Sequence, residues 1–258
     1  MIKLGKLPAK HDPKNRTIKF KAILNEPALP PLPEEWQFKL LYPQFDLSPK
    51  MWGNDELGNC VVVASYATQR SFEVIEQEKV IDIDEGQLRA QYKKESGGED
   101  TGLSMLDHNN VWRNEGIPIG YRKILCKKRP LMHKIDAFAR INPTDIREIK
   151  YATFLVGCNI GASMPDNFLD EFNADKPWID ISLPPSPDCG HAMKVLGWLK
   201  DYLILWTWGK EQLASWDWVK KYFDEAWAMI DKINDWTEHS PLNSIKLNEY
   251  LEAIDRMS

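Results

Sequence analysis

The sequence predicts an α+β protein of two lobes, a helical N-terminal lobe and a C-terminal lobe built on an antiparallel β-sheet. Apolar residues recur at helical spacing along 60–78, which indicates a long central helix. Beyond Gly120 the apolar runs are shorter, and the runs 191–198 and 202–208 are separated by three residues, as in a hairpin. At 258 residues the chain can bury a substantial core, either as one large domain or as two small lobes.

Residues 1–45 are predicted to form an extended, Pro-rich basic arm. Eight prolines lie within the first 50 residues, and this density excludes long helices. Within residues 1–25, seven lysines and arginines accompany the single acid Asp12. Such a segment is either a solvated tail or a contact surface for an acidic partner or a nucleic acid. We expect the arm to wrap its own domain or a neighbouring subunit, so other protein subunits are candidate partners.

Residues 46–120 are predicted to form the helical lobe. Its first helix runs from Cys60 to about Glu78, and burial must compensate for the low helix propensity of its valine cluster. A second helix over 84–92 has Asp84 as its N-cap. A third helix over 101–114 is closed by the glycine and proline that follow it.

Residues 121–240 are predicted to form the β-rich lobe, followed by an amphipathic C-terminal helix over 241–258. Short apolar runs mark the strands of this lobe, and Pro143-Thr144-Asp145 marks a helix start. The predicted elements are strands over 121–126 and 134–141, a helix from 143 to about 150, a buried strand over 154–163, a loop-rich insertion over 165–187 with a short helix near 168–172, the hairpin 191–198 and 202–208, and a strand or helix pair over 215–223 and 226–233.

Composition narrows the classes of function. The net charge of −5 argues against nonspecific nucleic-acid binding by the whole chain. The mean hydropathy is −0.46, and no apolar run is long enough to span a bilayer, so no membrane partner is expected. Four cysteines without a C-x-x-C pair fit a reducing compartment, and the N-terminus lacks the apolar core of a signal peptide. We therefore expect a cytoplasmic protein, or one packaged into a virion assembled in the cytosol.

The stretch Trp52-Gly53-Asn54-Asp55-Glu56-Leu57-Gly58-Asn59-Cys60 predicts a nucleophile at the start of the central helix. The unpaired N–H groups and the positive dipole end of a helix favour an anion, so they lower the pKa of a thiol placed there. A Cys followed by three valines is also typical of a plain buried thiol. The Gly-Asn approach to Cys60 favours the nucleophile.

His191 is the candidate general base. Of the five histidines, it alone combines a preceding glycine with a following apolar strand. A thiol and an imidazole within hydrogen-bond reach hold a thiolate–imidazolium pair, which later protonates a leaving amine. Cys189 suggests an alternative, a zinc site formed with Cys60 and His191, but the spacing matches no recognised ligand motif. We therefore expect no metal and no other cofactor.

The pattern resembles the papain-like cysteine peptidase superfamily over about residues 45–230, with a Cys followed about 130 residues later by a His. In that family a Gln six residues before the Cys contributes its amide to the oxyanion hole, and Asn54 holds that position here. The family's His-Ala pair at the head of a strand is matched by His191-Ala192. The stretch around Cys60 is also similar to sequences in uncharacterised bacterial and bacteriophage papain-like proteins. The resemblance implies a papain-like two-lobed fold that binds a peptide or amide substrate in the cleft between its lobes.

The third catalytic residue departs from the family pattern. The family's Asn-Ser-Trp-Gly stands here as Trp206-Thr207-Trp208-Gly209, so the Asn that orients the imidazole is absent. Thr207 is the candidate for this role if the strand is bulged, with Asp188 and Asp201 as alternatives nearby. The resemblance therefore implies a catalytic set of Cys60, His191, Asn54 and Thr207. Loss of the third group weakens such catalysis without abolishing it.

Two classes of function follow. The first is a papain-like cysteine hydrolase, a peptidase or amidase, that uses a Cys–His pair. The second is a catalytically weak or inactive papain-like scaffold that serves as a structural or interaction protein, for example in a bacteriophage virion. The retained Cys60 and His191 favour the first, whereas the missing Asn and the long arm favour the second.

Overall fold

The computed structural model describes residues 2–10, 18–124 and 127–231, together with the single residues Glu249 and Glu252. It confirms the predicted α+β class, with helices packed on a large, mostly antiparallel sheet. Apart from those two glutamates, the predicted helix over 241–258 lies outside the described residues, as does Cys126. None of the helices in the described ranges is long and apolar enough to cross a membrane.

The described residues form the following helices and strands. The helices are α1 (Phe20–Ile23), α2 (Phe38–Leu41), α3 (Cys60–Gln77), α4 (Glu85–Glu95), α5 (Met105–Asn114), α6 (Ile146–Leu155), α7 (Phe168–Asn173) and α8 (Trp216–Tyr222), with a 3-10 turn at Glu26–Ala28. The strands are β1 (Ile18–Lys19), β2 (Trp36–Gln37), β3 (Ile117–Ile124), β4 (Lys127–His133), β5 (Ala137–Arg140), β6 (Gly157–Ser163), β7 (Gly190–Trp198), β8 (Tyr202–Thr207), β9 (Lys210–Ser215) and β10 (Phe223–Ile230).

One sheet organises the chain. Its strand order is β1-β5-β10-β6-β7-β8-β9, and β2 pairs with the end of β7. The β1–β5 pair is parallel, while the other pairs in this sheet are antiparallel. The β3–β4 hairpin forms a separate two-stranded ribbon.

The large sheet is buried on both faces. Met193 and Val195 of β7 belong to one apolar cluster, whereas Ala192 belongs to a second cluster that contains Cys60 and most of the apolar residues of α3. Neighbouring residues of a strand point to opposite faces, so the central helix lies across the second face. The tertiary burial expected to offset the valine cluster of α3 is confirmed, since Val61, Val62 and Val63 are all buried.

Part of the predicted arm belongs to this sheet. Ile18 and Lys19 pair with Ala139 and Arg140, and Trp36 pairs with Trp198 on β7. Residues 18–45 therefore wrap the β-rich lobe of their own chain, with the short helices α1 and α2 along an otherwise extended path.

Several predicted boundaries are wrong. Helix α6 continues to Leu155 rather than ending near 150, because Ile149 and Ala152 lie on one buried helical face; the following strand therefore begins at Gly157. Strand β4 was not predicted, and its exposed residues lack the apolar alternation of a half-buried strand. It tolerates a proline because it belongs to an exposed two-stranded ribbon. Strand β9 was also missed, and the pair predicted over 215–233 is a helix followed by a strand.

Several tryptophans of the C-terminal half lie in the core. Trp178, Trp198, Trp218 and Trp227 are each at most 1% exposed. Trp178 and Trp218 stack with ring centroids 4.7 Å apart. Buried aromatic pairs of this kind contribute about 0.5–1.5 kcal/mol beyond the area they bury.

Candidate active site

A compact loop delivers Cys60 to the first position of α3. Trp52 and Gly53 adopt left-handed backbone conformations, with φ of 47° and 72°. The side-chain amide of Asn59 donates to the Trp52 carbonyl at 3.0 Å, and the backbone carbonyl of Asn59 accepts from Val63 at 3.0 Å. The loop is thereby fixed to the start of the helix, where the first N–H groups have no partner within the helix.

The Cys60 thiol is enclosed between the helix and the sheet. The residue is 1% exposed, and its Sγ accepts a hydrogen bond from the backbone N–H of Ala192 at 3.4 Å. Burial raises the pKa of the Cys60 thiol, while backbone hydrogen bonds from Ala192 and Gly5 and the charge of Lys6 oppose this rise. Burial dominates, so the thiol is neutral in this arrangement.

His191 lies near the start of β7 and directly precedes Ala192, whose N–H donates to that thiol. Its Nε2 is 2.6 Å from the Thr207 hydroxyl, and its ring stacks on Trp208 with centroids 3.9 Å apart and planes inclined by 13°. Burial, with a smaller effect from Lys6, holds the pKa of His191 at about 3, below its ordinary value of 6.5. Its Nδ1 has no hydrogen-bond partner among the described residues, so no hydrogen bond joins the imidazole to Cys60.

A bulge in β7 determines which residue meets His191. Val195 pairs with Leu205 and Gly197 pairs with Ile204, so one extra residue interrupts the ladder. A shift of one residue exchanges the two faces of a strand, and this shift puts Thr207 rather than Trp206 on the face of His191. The structure therefore brings Thr207 to the imidazole, through a bulge in β7 rather than in the strand that carries Thr207.

Asn54 lies in the same loop but faces inward. It is 2% exposed, and its amide nitrogen donates to the side-chain oxygen of Asn59 at 3.1 Å and to the Leu57 carbonyl at 3.4 Å. The amide thus stabilises the loop in this arrangement. Its role as an oxyanion donor stays a prediction.

The N-terminal segment, residues 2–10, crosses directly over this site. Gly5 contributes a backbone hydrogen bond to the Cys60 thiol. The Lys6 N–H donates to the Gly190 carbonyl at 2.9 Å, and Lys6 forms a parallel bridge to Leu103. In that bridge, the Leu103 N–H donates to the Gly5 carbonyl at 2.8 Å, and the Leu103 carbonyl accepts from the Leu7 N–H at 2.9 Å. The segment therefore spans from the helical lobe to the β-rich lobe and covers Cys60.

The fit of this segment depends on glycine at three positions. A Cβ on Gly5 would overlap the backbone of Gly58, and one on Gly102 would overlap the backbone of Gly5. A Cβ on Gly190 would overlap the carbonyl of Lys6. Backbone thus packs directly against backbone where the segment passes between the lobes.

The structure has no metal site at this position. Among the described residues, no group of three or more His, Cys, Asp or Glu side chains is arranged to hold a metal ion. Cys60, Cys189 and His191 do not form such a group.

Comparisons with known proteins agree on the fold. Xylellain, a cysteine protease from Xylella fastidiosa, superposes with a TM-score of 0.66 at 16% identity over 89% of this chain and 96% of its own. Procathepsin B S9 from Trypanosoma congolense gives 0.62 at 12% identity, covering 88% of this chain and 87% of its own. Bromelain from Ananas comosus, solved in complex with the inhibitor E64, gives 0.54 at 17% identity over 78% and 100%.

The chain has the papain-like fold. The recognition made from the residues around Cys60 and His191 is confirmed at this level. No protein-family model matches the sequence, and no curated protein matches it. The similarity to these structures thus shows the papain-like fold alone, because the sequence identities are too low to indicate a shared activity.

Sequence reasoning missed the residues that cover the papain-like site. Gly5 and Lys6 were assigned only to a basic arm, since nothing local in Gly5-Lys6-Leu7 distinguishes it from a solvated tail. The glycines at 102 and 190 gave a partial signal, because each adjoins a predicted site element and leaves room for a second backbone. That signal does not identify which backbone comes there.

Replacing Thr207 with Val should lower the free energy of unfolding by about 1–3 kcal/mol, because the buried Nε2 of His191 would lose its hydrogen-bond partner. Urea denaturation followed by tryptophan fluorescence measures this change. Thr207→Ser is the matched control and should retain most of the stability, because it keeps the hydroxyl. Equal stability of Thr207→Val and the wild type would show that the contact contributes nothing.

Proposed function

We propose that this protein is a latent cysteine hydrolase, a peptidase or amidase, whose N-terminal segment must leave the cleft before a substrate enters. The observation that carries the proposal is the placement of Cys60 at the start of α3, where its sulfur accepts a hydrogen bond from the N–H of Ala192, the residue that follows His191. The His191 ring is oriented by Thr207 and Trp208 and keeps Nδ1 without a partner among the described residues.

The reaction needs an open cleft. Once the segment leaves, water reaches the thiol and the imidazole, so burial no longer suppresses their charged forms. Nδ1 of His191 then takes the Sγ proton, and the thiolate attacks the substrate carbonyl. The C–N bond breaks as the imidazolium protonates the leaving amine, which gives a thioester on Cys60. Water, deprotonated by the imidazole, hydrolyses the thioester and returns the proton to the thiol.

Two oxyanion donors and one positioning residue would support this chemistry. The backbone N–H of Cys60 lies in the first turn of α3 and is a donor for the developing oxyanion, with Asn54 as the second donor if its amide turns outward. Thr207 accepts from Nε2–H and keeps Nδ1 available as the proton acceptor. Thr207 thus takes the positioning role that an Asn has in the family.

The scaffold alternative is favoured by one observation, the filled cleft. A segment held by backbone hydrogen bonds to both lobes blocks access to Cys60. A latent enzyme and an inactive scaffold share this feature, and they differ in what happens when the segment is displaced. A bacteriophage virion role belongs to the scaffold alternative.

The test is peptide hydrolysis by the full-length chain carrying Gly5→Leu, in which the added side chain displaces the segment. An internally quenched peptide library should be cleaved by this variant, and cleavage should disappear when Cys60→Ser or His191→Ala is added. Ala9→Leu, on the exposed part of the same segment, is the matched control and should stay as inactive as the wild type. Rapid alkylation of Cys60 in Gly5→Leu without cleavage of any peptide would overturn the hydrolase in favour of the scaffold.

A further inference from the structure

Two acidic side chains, Asp224 and Glu225, surround the buried side chain of Lys6 and form an acidic pocket for it. The Lys6 side chain is 1% exposed, and its Nζ lies 3.0 Å from Oδ1 of Asp224 and 3.7 Å from Oε2 of Glu225. Both acids stand at the start of β10. A charge removed from water to this extent requires charged partners, so the pocket matches a cation.

The acids keep their positions without help from Lys6. The Ser163 hydroxyl donates to Asp224 at 2.6 Å, and the Trp227 indole N–H donates to Glu225 at 2.8 Å. These bonds come from β6 and from β10 itself. The acidic floor is therefore preorganised and persists when the segment leaves.

Glycines give the pocket its depth. A Cβ on Gly161 would overlap the end of the Lys6 side chain, and one on Gly190 would overlap its backbone. The sulfur of Met105 lines the same wall. A long, unbranched side chain with a terminal charge fits the resulting channel.

The pocket has a defined position relative to the nucleophile. The backbone of Gly5 forms a hydrogen bond with the Cys60 thiol, and Lys6 is the next residue along the segment. The Lys6 N–H donates to Gly190, the residue before His191. A peptide that replaces the segment and passes over Cys60 would place a neighbouring side chain in this pocket.

Lys6 does not satisfy the pocket completely. Oε2 of Glu225, a residue 2% exposed, accepts no hydrogen bond from any described residue, and the ammonium is 3.7 Å away. A guanidinium carries five N–H donors on a planar fork and is wider than an ammonium. Arginine can therefore reach Asp224 and Glu225 together.

We propose that Asp224 and Glu225 form a specificity pocket for a basic substrate side chain, arginine in preference to lysine. That side chain belongs to the residue next to the one whose carbonyl Cys60 attacks. Lys6 is the pocket's own internal occupant. The inference rests on the proposed hydrolase for its substrate, but the binding preference does not require catalysis.

The first experiment measures binding alone. The nonapeptide Ile2–Lys10, Ile-Lys-Leu-Gly-Lys-Leu-Pro-Ala-Lys, is titrated into the Gly5→Leu chain by calorimetry, together with peptides that carry arginine or norleucine at the Lys6 position. We expect arginine to bind more tightly than lysine, and norleucine at least about tenfold more weakly than lysine. The difference should vanish in Asp224→Asn/Glu225→Gln. Equal binding of norleucine and lysine overturns the pocket.

The second experiment measures cleavage by the same chain. Fluorogenic peptides that differ only in the side chain next to the attacked residue should be cleaved at least about tenfold faster with arginine or lysine than with norleucine. Asp224→Asn/Glu225→Gln should remove this preference. Asp107→Asn, which removes the exposed partner of Lys10 on the same segment, is the control and should keep the preference.

These two readouts separate the proposals. A charge-dependent binding preference without any cleavage supports the pocket and contradicts the hydrolase. Cleavage without a preference for basic side chains supports the hydrolase and contradicts the pocket.

Discussion

Full-length protein carrying Gly5→Leu should react with iodoacetamide at Cys60 on the order of 10³-fold faster than the wild type at pH 7. The segment is held over the thiol by four backbone hydrogen bonds, to Gly190 and to Leu103. Each hydrogen bond stabilises the closed state by about 1 kcal/mol, so the loss of all of them raises the open population by about three powers of ten. The leucine side chain cannot be accommodated, because the Cβ alone would overlap the carbonyl of Gly58.

Site-resolved mass spectrometry measures this rate and separates Cys60 from the other thiols. Cys158 is buried elsewhere in the sheet, and its alkylation should not change with the substitution. Ala9→Leu should react like the wild type. A Gly5→Leu chain in which Cys60 stays unreactive while Cys158 remains protected would show that the segment does not control access.

The wild-type segment should open as the pH falls below about 6.5. In the closed state, burial holds the pKa of His191 at about 3, and opening returns it toward 6.5. The open state therefore binds a proton that the closed state excludes, and the closed state loses up to about 1.4 kcal/mol per pH unit between 6.5 and 3. Glu225 acts in the opposite direction, because burial raises the pKa of this carboxyl in the closed state, against the smaller opposing effect of the Lys6 charge, and opening relieves that burial. The other charges acting on Glu225 are those of Asp224 and Arg140.

Hydrogen exchange of the Lys6 and Leu7 amides reports this opening, since both donate across the cleft in the closed state. Their protection factors, corrected for intrinsic exchange, should fall by up to about 100-fold between pH 6.5 and 4.5. Amides in the middle of β7 are the internal control and should stay protected. In His191→Gln the fall should be absent, since glutamine does not titrate and Glu225 does not favour opening. Protection that is independent of pH in the wild type would rule out this coupling.

The elements that carry strong local signals could be predicted from the sequence. The helical period after Cys60, the Asp84 cap and the apolar runs around His191 each determine their structure locally; Asp84 accepts from the Gln87 N–H at 3.0 Å, as a cap should. The order Cys60, then His191, together with the matched residues around each, led to the recognition of the papain-like fold.

The remaining features depend on packing between distant segments. The contact of Thr207 with His191 follows from a one-residue bulge in β7, and nothing in the sequence between Val195 and Gly197 fixes such a bulge. Lys6 was assigned to a basic tail because its partners, Asp224 and Glu225, lie more than 200 residues away. Strand β4 was missed because an exposed ribbon carries charged residues where a buried strand would alternate.

The pairing of β1 with β5 affects how strongly the segment competes with other ligands. Because Ile18 and Lys19 are fixed to the sheet, residues 2–10 are joined to the cleft's own lobe through residues 11–17. A short tether of this kind gives an effective local concentration in the millimolar range, which a free peptide must exceed to take the same place. A single cut within residues 11–17 would leave the contacts of residues 2–10 with the cleft intact. The severed segment would then be a separate peptide that dissociates on dilution.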